Sequence, residues 1–425
     1  MNPPRPYRVA IVGSGPAGAA LATLLASAGT DVALFADERR RDPTVGESLI
    51  PSIVPLLRRL GVEDAVAAIS QHKPGVSFVW GGMHVAFRFA RYADRMTPYA
   101  FNVPRPQFEE VLQARAVECG ARLIPTRAHL ARGPAGGPEV ILDDANRQAA
   151  GWGSAHPDLL VDASGRARLV TRLLDVPARR GPRDDVAHFA HFVGNAWEQP
   201  AGQVMIGRVA GGWSWLIPLR DRLSVGVVLD RRVAAGLGDT PQARLESAIA
   251  SAADLTETLR PAERVSPVGT YANYQLVTTR GIGTGWAAVG DAFGFVDPML
   301  SPGVSVAIHS AEFLADALAP VLAAHRNGHR APATETDLRP YARRMTGLLD
   351  AWMELVEYLY DGRMLALVQA GLEMVEARGD RLALLIQDKV EMNVALLASG
   401  TAITSRYRLG LLRLLGRYGL RGVEP

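Results

Sequence analysis

Val9-Ala10-Ile11-Val12 is an unbroken apolar run of strand length, followed at once by Gly13-Ser14-Gly15-Pro16-Ala17-Gly18 and then by the helix formers Ala19-Ala20-Leu21-Ala22-Thr23-Leu24-Leu25. This order predicts a buried strand, a glycine turn and a helix. Val32-Ala33-Leu34-Phe35 repeats the buried-strand signal, and Trp286-Ala287-Ala288-Val289 gives it again ahead of a helical pattern running from Val304 through Leu322. Elsewhere the period falls to two. In Gly212-Trp213-Ser214-Trp215-Leu216-Ile217-Pro218 alternation puts Trp213, Trp215 and Ile217 on one face of a strand and Ser214 with Leu216 on the other. Val76 to Trp80, His84 to Phe89, Gln203 to Ile206 and Leu223 to Leu229 read as companion strands of one antiparallel sheet. From about residue 326 onward, apolar residues recur at three- and four-residue spacing, as in helices. Ala131 to Pro138, rich in Gly and Pro, reads as a loose surface loop.

The glycine turn has a physical reading of its own. Gly13 permits the tight turn, Gly15 lets backbone approach a pyrophosphate, and Gly18 lets helix pack on strand, while the helix N-terminus meets the negative charge. Pro16 and Ala17 complete a loop suited to a dinucleotide. The acid expected at the end of the second strand, to hold ribose hydroxyls, is displaced. Ala36 follows Phe35, and carboxylates come only at Asp37 and Glu38, so either Asp37 makes this contact from one position later or the contact is missing.

At 425 residues, 48% hydrophobic and 21% charged, the chain can bury a large core in two or three domain-sized units. A single cysteine, Cys119, forbids an intrachain disulfide and suits a reducing, cytoplasmic compartment. A net charge of +3 with scattered basic residues gives no case for nucleic acid. Val9 to Gly29 carries no charge but holds four glycines and a proline, which suit a strand and turn better than a signal peptide, and no other segment reads as a membrane span. His188, His191 and His309 lack companions at ligand spacing, so they read as core or surface residues and no metal is expected. Arg406, Arg408, Arg413, Arg417 and Arg421 punctuate an apolar C-terminal segment, either as a helix packed on the core or as a docking face for an acidic partner.

Four further turn-like segments complete a pattern: Gly46-Glu47-Ser48, then Val103-Pro104-Arg105-Pro106, then Asp162-Ala163-Ser164-Gly165-Arg166, and finally Gly290-Asp291-Ala292-Phe293. With them the chain resembles the FAD-dependent aromatic monooxygenase superfamily over most of residues 7 to 325. Within it, the sequence looks most like the flavin-dependent halogenases: Trp213, Trp215, Ile217 and Pro218 match their tryptophan motif, and Phe295, Pro298, Ser301 and Gly303 match a second signature. Lys73 matches their essential lysine, in a chain whose only other lysine is Lys389.

The resemblance implies an α/β chain. An FAD-binding Rossmann-like domain would comprise residues 1–72, 100–185 and 276–325, an inserted antiparallel β-sheet substrate domain residues 73–99 and 186–275, and a helical C-terminal region residues 326–425. Catalytic roles fall to Lys73, Trp213, Trp215 and Ser301. FAD would be held by Gly13, Gly15, Pro16, Ala17, Gly18, Asp37, Gly46, Glu47, Ser48, Arg105, Asp291, Gly303 and Val304. Reduced FAD and O2 would oxidise halide, and Lys73, a partly desolvated amine, would hold or pass on the resulting hypohalous acid beside an aromatic ring. The tryptophans would keep that ring from the flavin.

Two positions depart from the family pattern. Leu300 stands where halogenases of free tryptophan carry glutamate, which disfavours free tryptophan, and Pro302 stands where a small hydroxyl residue is usual. The scaffold is also similar to flavoprotein maturases that hydroxylate a protein-bound tryptophan during tryptophylquinone biogenesis. Both readings imply a protein-borne aromatic, such as a pyrrole, phenol or indole on an acidic carrier protein, and a wide mouth to receive it. A third reading is a non-catalytic flavin-binding protein. No second glycine-rich loop for NAD(P)H is evident, which points either to a separate flavin reductase or to nicotinamide used without a dedicated domain, as the superfamily it resembles can do.

Overall fold

The computed structural model describes residues 5–37, 45–80, 83–133, 139–197, 199–272, 275–328 and 331–418. Glu38, Pro134 to Pro138 and Arg421 lie outside them. Five strands run parallel in one sheet, in the spatial order Trp286–Ala288, Leu159–Asp162, Arg8–Val12, Asp31–Phe35 and Arg122–Ile124, with Ile282–Gly283 antiparallel at one edge. Their interior residues are almost wholly apolar, as strands covered on both faces must be. Register is the useful fact. Val12 lies opposite both Asp162 and Phe35, and Asp162 lies opposite Ala288. Four strands therefore end level, and the segments that follow them emerge at one edge: the glycine loop, Asp37, Ser164 to Arg166, and Gly290-Asp291. Ligands of open parallel sheets bind outside such an edge.

The tryptophan strand, Gly212–Pro218, lies inside a second sheet of eight strands that also contains Gly75–Trp80, Met83–Arg88, Asp185–Val193, Val204–Val209 and Leu223–Asp230. Its pairings are antiparallel, as expected, with one exception: Val204–Val209 lies parallel to Gly75–Trp80. These two strands come from distant parts of the chain, so no short hairpin dictates their direction. Alternation sorts the faces as the sequence predicts. Trp213, Trp215 and Ile217 join the main core with Phe78, Phe189 and Ile206. Leu216 points to a smaller core under the helices Arg231–Gly236, Pro241–Ala250 and Ala253–Leu259, where Leu245, Ala248 and Leu255 are buried. The expected loop at Ala131 begins as a strand instead, Leu130–Arg132 pairing with Val140–Leu142.

After the sheet come Pro302–Arg326, Glu335–Tyr360, Arg363–Arg378, Arg381–Ala398 and Arg406–Tyr418, all helical. By length and composition alone Pro302–Arg326 is long and apolar enough to cross a bilayer, which corrects the reading that no such segment follows residue 29. Its composition answers to packing: it contacts the first helix, Pro16–Ser27, and Glu335–Tyr360, and Val304, Val306, Ile308, Leu314 and Leu318 are buried in the main core. The arginine-punctuated segment is the helix Arg406–Tyr418, with Leu409 and Leu412 buried, Arg413 paired to Glu354 at 2.5 Å and Arg408 hydrogen-bonded to Asn393.

Candidate active site

At the sheet edge the three loop glycines do different work. A Cβ on Gly13 would overlap the Ala163 backbone and one on Gly18 would overlap the Gly13 carbonyl, whereas one on Gly15 would meet nothing within 4 Å. Gly13 also takes φ +112°, which side chains rarely adopt. So Gly13 and Gly18 pack the protein on itself while Gly15 leaves open space at the helix start, which has no acidic side chain in its first turn. That space, beside the first-turn N–H groups of a helix with no side-chain cap, fits a pyrophosphate.

The helix Arg105–Glu118 braces this end. Gln113 donates to the Ser14 carbonyl at 3.0 Å and to its hydroxyl at 3.2 Å. Arg105 donates to the Val45 carbonyl at 3.1 Å and pairs with Glu109 at 2.9 Å, its guanidinium lying where a Cβ on Gly46 would stand. Burial pushes the Asp291 carboxyl up to about 6, against the opposing fields of Arg105 and Arg166. A buried acid that feels the fields of two cations suits a hydroxylated chain joined to a diphosphate. Asp37 is exposed, just beyond the second strand.

Gly46-Glu47-Ser48 leads from this end to the lysine. Val103 N–H donates to the Glu47 carbonyl at 2.7 Å, and Ser48 bridges Asn102. The Glu47 side chain, expected at the flavin, turns inward: His191 Nε2 lies 2.9 Å from Oε1 and 3.1 Å from Oε2, so the carboxylate is spent inside the protein. Lys73 ends the strand Gln71–Lys73, which pairs with Ala100–Asn102 apart from the eight-stranded sheet. Its Nζ donates to the Ser48 hydroxyl at 2.7 Å and the Leu49 carbonyl at 2.9 Å, and lies 5.8 Å from the centre of the Phe89 ring. The residue is 3% exposed, and burial brings its amine down to about 7. Among the described residues no carboxylate hydrogen-bonds it, and desolvation is the cause of the shift.

Lys73 forms part of the wall of an apolar cavity with Val76, Phe78, Phe87, Phe89 and Ile206 from the sheet side, Leu300 and Ser301 from the second signature, and Met364, Ala395 and Ala398 from the C-terminal helices. Leu300 and Ser301 take φ of +64° and +58°, so two adjacent side-chain-bearing residues occupy the left-handed region just before Pro302. Each such residue costs roughly 1–3 kcal/mol and is kept only where its surroundings require it. The strain turns the chain sharply into the helix Pro302–Arg326, whose start sets Gly303 against Phe295 and Val304 near Gly46.

The tryptophans stand one strand away from this cavity. Trp215 lies opposite Ile206, a cavity residue, and its ring is 5.8 Å from that of Trp213 and 6.0 Å from that of Phe189. Trp215 donates to Ser224 at 3.3 Å, and Trp213 donates to the Tyr360 hydroxyl at 2.9 Å. The site thus joins an amine, an apolar cavity and an indole pair on one sheet face, with a nucleotide cradle at the neighbouring edge. Residues 6–347 match the family model of the FAD binding domain. The chain is 30% identical over 370 residues to the tryptophan 2-halogenase of Chondromyces crocatus, covering 85% of this chain and 69% of that protein. The chain belongs to the FAD-binding flavin-dependent halogenases.

Other relatives agree with this. The 1H-pyrrole-2-carbonyl peptidyl-carrier protein chlorinase of Pseudomonas fluorescens is 28% identical, over 72% of this chain and 74% of its own. Among solved structures, the myxobacterial chondrochloren halogenase CndH aligns at a TM-score of 0.73 with 25% identity, covering 96% of this chain and 99% of its own. The flavin-dependent brominase Bmp2 shares the fold at a TM-score of 0.76 and 21% identity, over 98% of this chain and all of that one. FAD is the halogenase's cofactor, and the open side of Gly15 with the Asp291 surroundings fits it.

Several residues around the candidate site escaped sequence reasoning. His191, read as a core or surface residue, clasps Glu47 across 144 positions, and no local signal announced it. Asp297, inside the second signature, is fully buried; it accepts from Met299 N–H at 2.9 Å and from the Tyr360 hydroxyl at 3.2 Å. Burial, with Asp185 nearby, pushes its carboxyl up to about 7. Asp297 stands between Val296 and Pro298 inside the second signature, just past the strand Gly294–Phe295. Among the described residues no cluster of His, Cys, Asp and Glu could hold a metal ion.

Proposed function

We propose that this halogenase attaches halogen to an electron-rich aromatic ring, a pyrrole, phenol or indole, presented on an acidic carrier protein. The observation that carries the reading is the Lys73 amine, buried in the wall of a cavity that also contains three phenylalanines, with its hydrogen bonds fixed on Ser48 and Leu49. FAD, in its reduced form with O2, supplies the two-electron oxidation of halide.

The chain's residues handle the product of that oxidation. A neutral amine has two N–H groups, and two acceptors take them, so the lone pair is the valence left for the cavity. Burial makes the neutral form accessible near pH 7. The lone pair takes halogen from hypohalous acid, and the displaced hydroxide leaves as water with one amine proton. The N–halogen bond then breaks toward the ring, and the ring hydrogen returns to nitrogen. Leu300 offers no carboxylate to assist, which suits a ring richer in electrons than benzene. Trp213 and Trp215 wall the face beside the cavity, and Ser301 with Gly303 and Val304 present the helix start, where backbone N–H groups favour an anion such as halide.

The carrier is supported by the name of the Pseudomonas fluorescens relative, which acts on a carrier-bound pyrrole, and by basic residues on the last helix. A separate flavin reductase and a reducing, cytoplasmic setting complete the proposal. The test supplies the purified protein with reduced FAD, O2, bromide and pyrrole or phenol substrates, free and carrier-bound, and reads product mass. Replacement of hydrogen by bromine is expected; gain of one oxygen instead would point to the hydroxylating maturases. In Lys73→Ala, bromination falls about 10²–10⁴-fold while FAD binding persists.

A further inference from the structure

Asp297, Tyr360 and Trp213 form a hydrogen-bonded line across three separate parts of the chain. Trp213 Nε1–H donates to the Tyr360 hydroxyl at 2.9 Å; that hydroxyl donates to Asp297 at 3.2 Å; and Asp297 accepts from Met299 N–H at 2.9 Å. Met299 directly precedes the left-handed pair Leu300 and Ser301. Arg183 closes the arrangement, stacked 3.6 Å from the centre of the Tyr360 ring and paired with Asp185 at 2.6 Å. Tyr360 is the last residue of its helix, so the line joins the tryptophan strand, a helix end and the strained turn of the cavity wall.

Packing alone does not call for this. Burying a carboxyl, a phenol and an indole N–H is expensive, and an apolar trio of equal volume would hold the same elements together. What the polar line adds is direction: one hydrogen bond fixes the rotation of the Trp213 ring, and another fixes the backbone of Met299. We infer that Tyr360 and Asp297 are positioning residues, holding the Trp213 indole and the Met299–Ser301 turn in a single relative placement so that oxidant reaches the Lys73 cavity instead of water. The inference rests on the halogenation reading.

Tyr360→Phe deletes the hydroxyl and keeps the ring under Arg183, which makes it the decisive variant. Three quantities are measured in wild type, Tyr360→Phe, Trp213→Phe and the double variant: FAD affinity, brominated product per reduced FAD consumed, and hypobromous acid escaping to a scavenger in solution. Expected is a fall of about tenfold in product per FAD for Tyr360→Phe, with escaped oxidant rising and FAD affinity unchanged, since small misplacements near the chemistry are costly. The double variant should lose less than the product of the two single losses, because both substitutions break the Trp213–Tyr360 hydrogen bond. Unchanged product yield in Tyr360→Phe, or losses that multiply in the double variant, overturns the inference. Tryptophan emission separates this from failure of the halogenation reading: it should shift on Tyr360→Phe in the wild-type background and stay put in the Trp213→Phe background, even if no halogenated product ever forms.

Discussion

The nucleotide cradle and the lysine cavity lie side by side but are built by opposite means. The cradle is backbone: glycines whose missing Cβ atoms let a strand, a loop and a helix close on each other, held by level strand ends. The cavity is made of side chains brought from separate segments between Ile50 and Ser399, with one amine among mostly apolar groups. A backbone site should fail through geometry, and a side-chain site through solvation and charge.

The largest expected effect tests the first half of that contrast. Gly18→Ala drives a Cβ into the Gly13 carbonyl, and the neighbour that must yield is backbone. Loss of several kcal/mol, roughly 3–5, is expected in chemical denaturation of the FAD-free protein. Gly15→Ala has no such neighbour within 4 Å, so FAD-free stability should stay within about 0.5 kcal/mol of wild type. Its cost should appear only in calorimetric titration, as weakened FAD binding. Equal destabilisation by the two alanines would mean that the loop has no face reserved for the cofactor.

The next effect tests the lysine, and its sign follows from linkage. The folded-state value of about 7 lies below the usual 10.5, so between those limits the unfolded chain binds more protons and stability rises with pH. Below about 7 both states are charged and the full penalty of the buried ammonium remains. Lys73→Met removes it while keeping a similar shape. This variant should unfold at higher denaturant than wild type at pH 6, by on the order of 2–4 kcal/mol, and the gap should close toward pH 10. Bromination per FAD consumed by wild type should rise from pH 6 to a plateau above pH 7, as the neutral amine accumulates. A gap independent of pH would show that the amine is not titrating inside the fold.

The same contrast explains what the sequence disclosed. The cradle was legible because its chemistry is local: Gly13, Gly15 and Gly18 sit within six residues, and strand, turn and helix follow in order. The Trp213–Trp215–Ile217 face was legible because strands alternate. Lys73, Ser301 and the tryptophans could be named singly through resemblance, but not joined. No period in the chain tells that Ala395 and Met364 line the cavity with Lys73, that His191 takes up Glu47, or that Tyr360 reaches Asp297. Those contacts are fixed by how the C-terminal helices and the eight-stranded sheet pack. The hydropathy of Pro302–Arg326 misleads for a related reason: a helix packed on both sides inside a protein needs the same apolar surface as one facing lipid.

Ser301 sits where the two kinds of site meet, and the smallest effect is expected there. Its φ of +58° is a backbone feature in the cavity wall, and its side chain makes no capping hydrogen bond to the helix it starts. Glycine accepts that conformation without strain, so Ser301→Gly should stabilise the FAD-free protein by about 1 kcal/mol, the relief of strain exceeding the extra freedom of the unfolded chain. Product per FAD consumed should nevertheless fall severalfold, because the turn that aims the helix start and flanks the Lys73 cavity is no longer restricted to one conformation. A melting temperature that rises while yield falls would mark Ser301 as strain kept for function. If both fall together, the left-handed turn is supported by contacts of the serine itself, and cradle and cavity are less separable than their construction suggests.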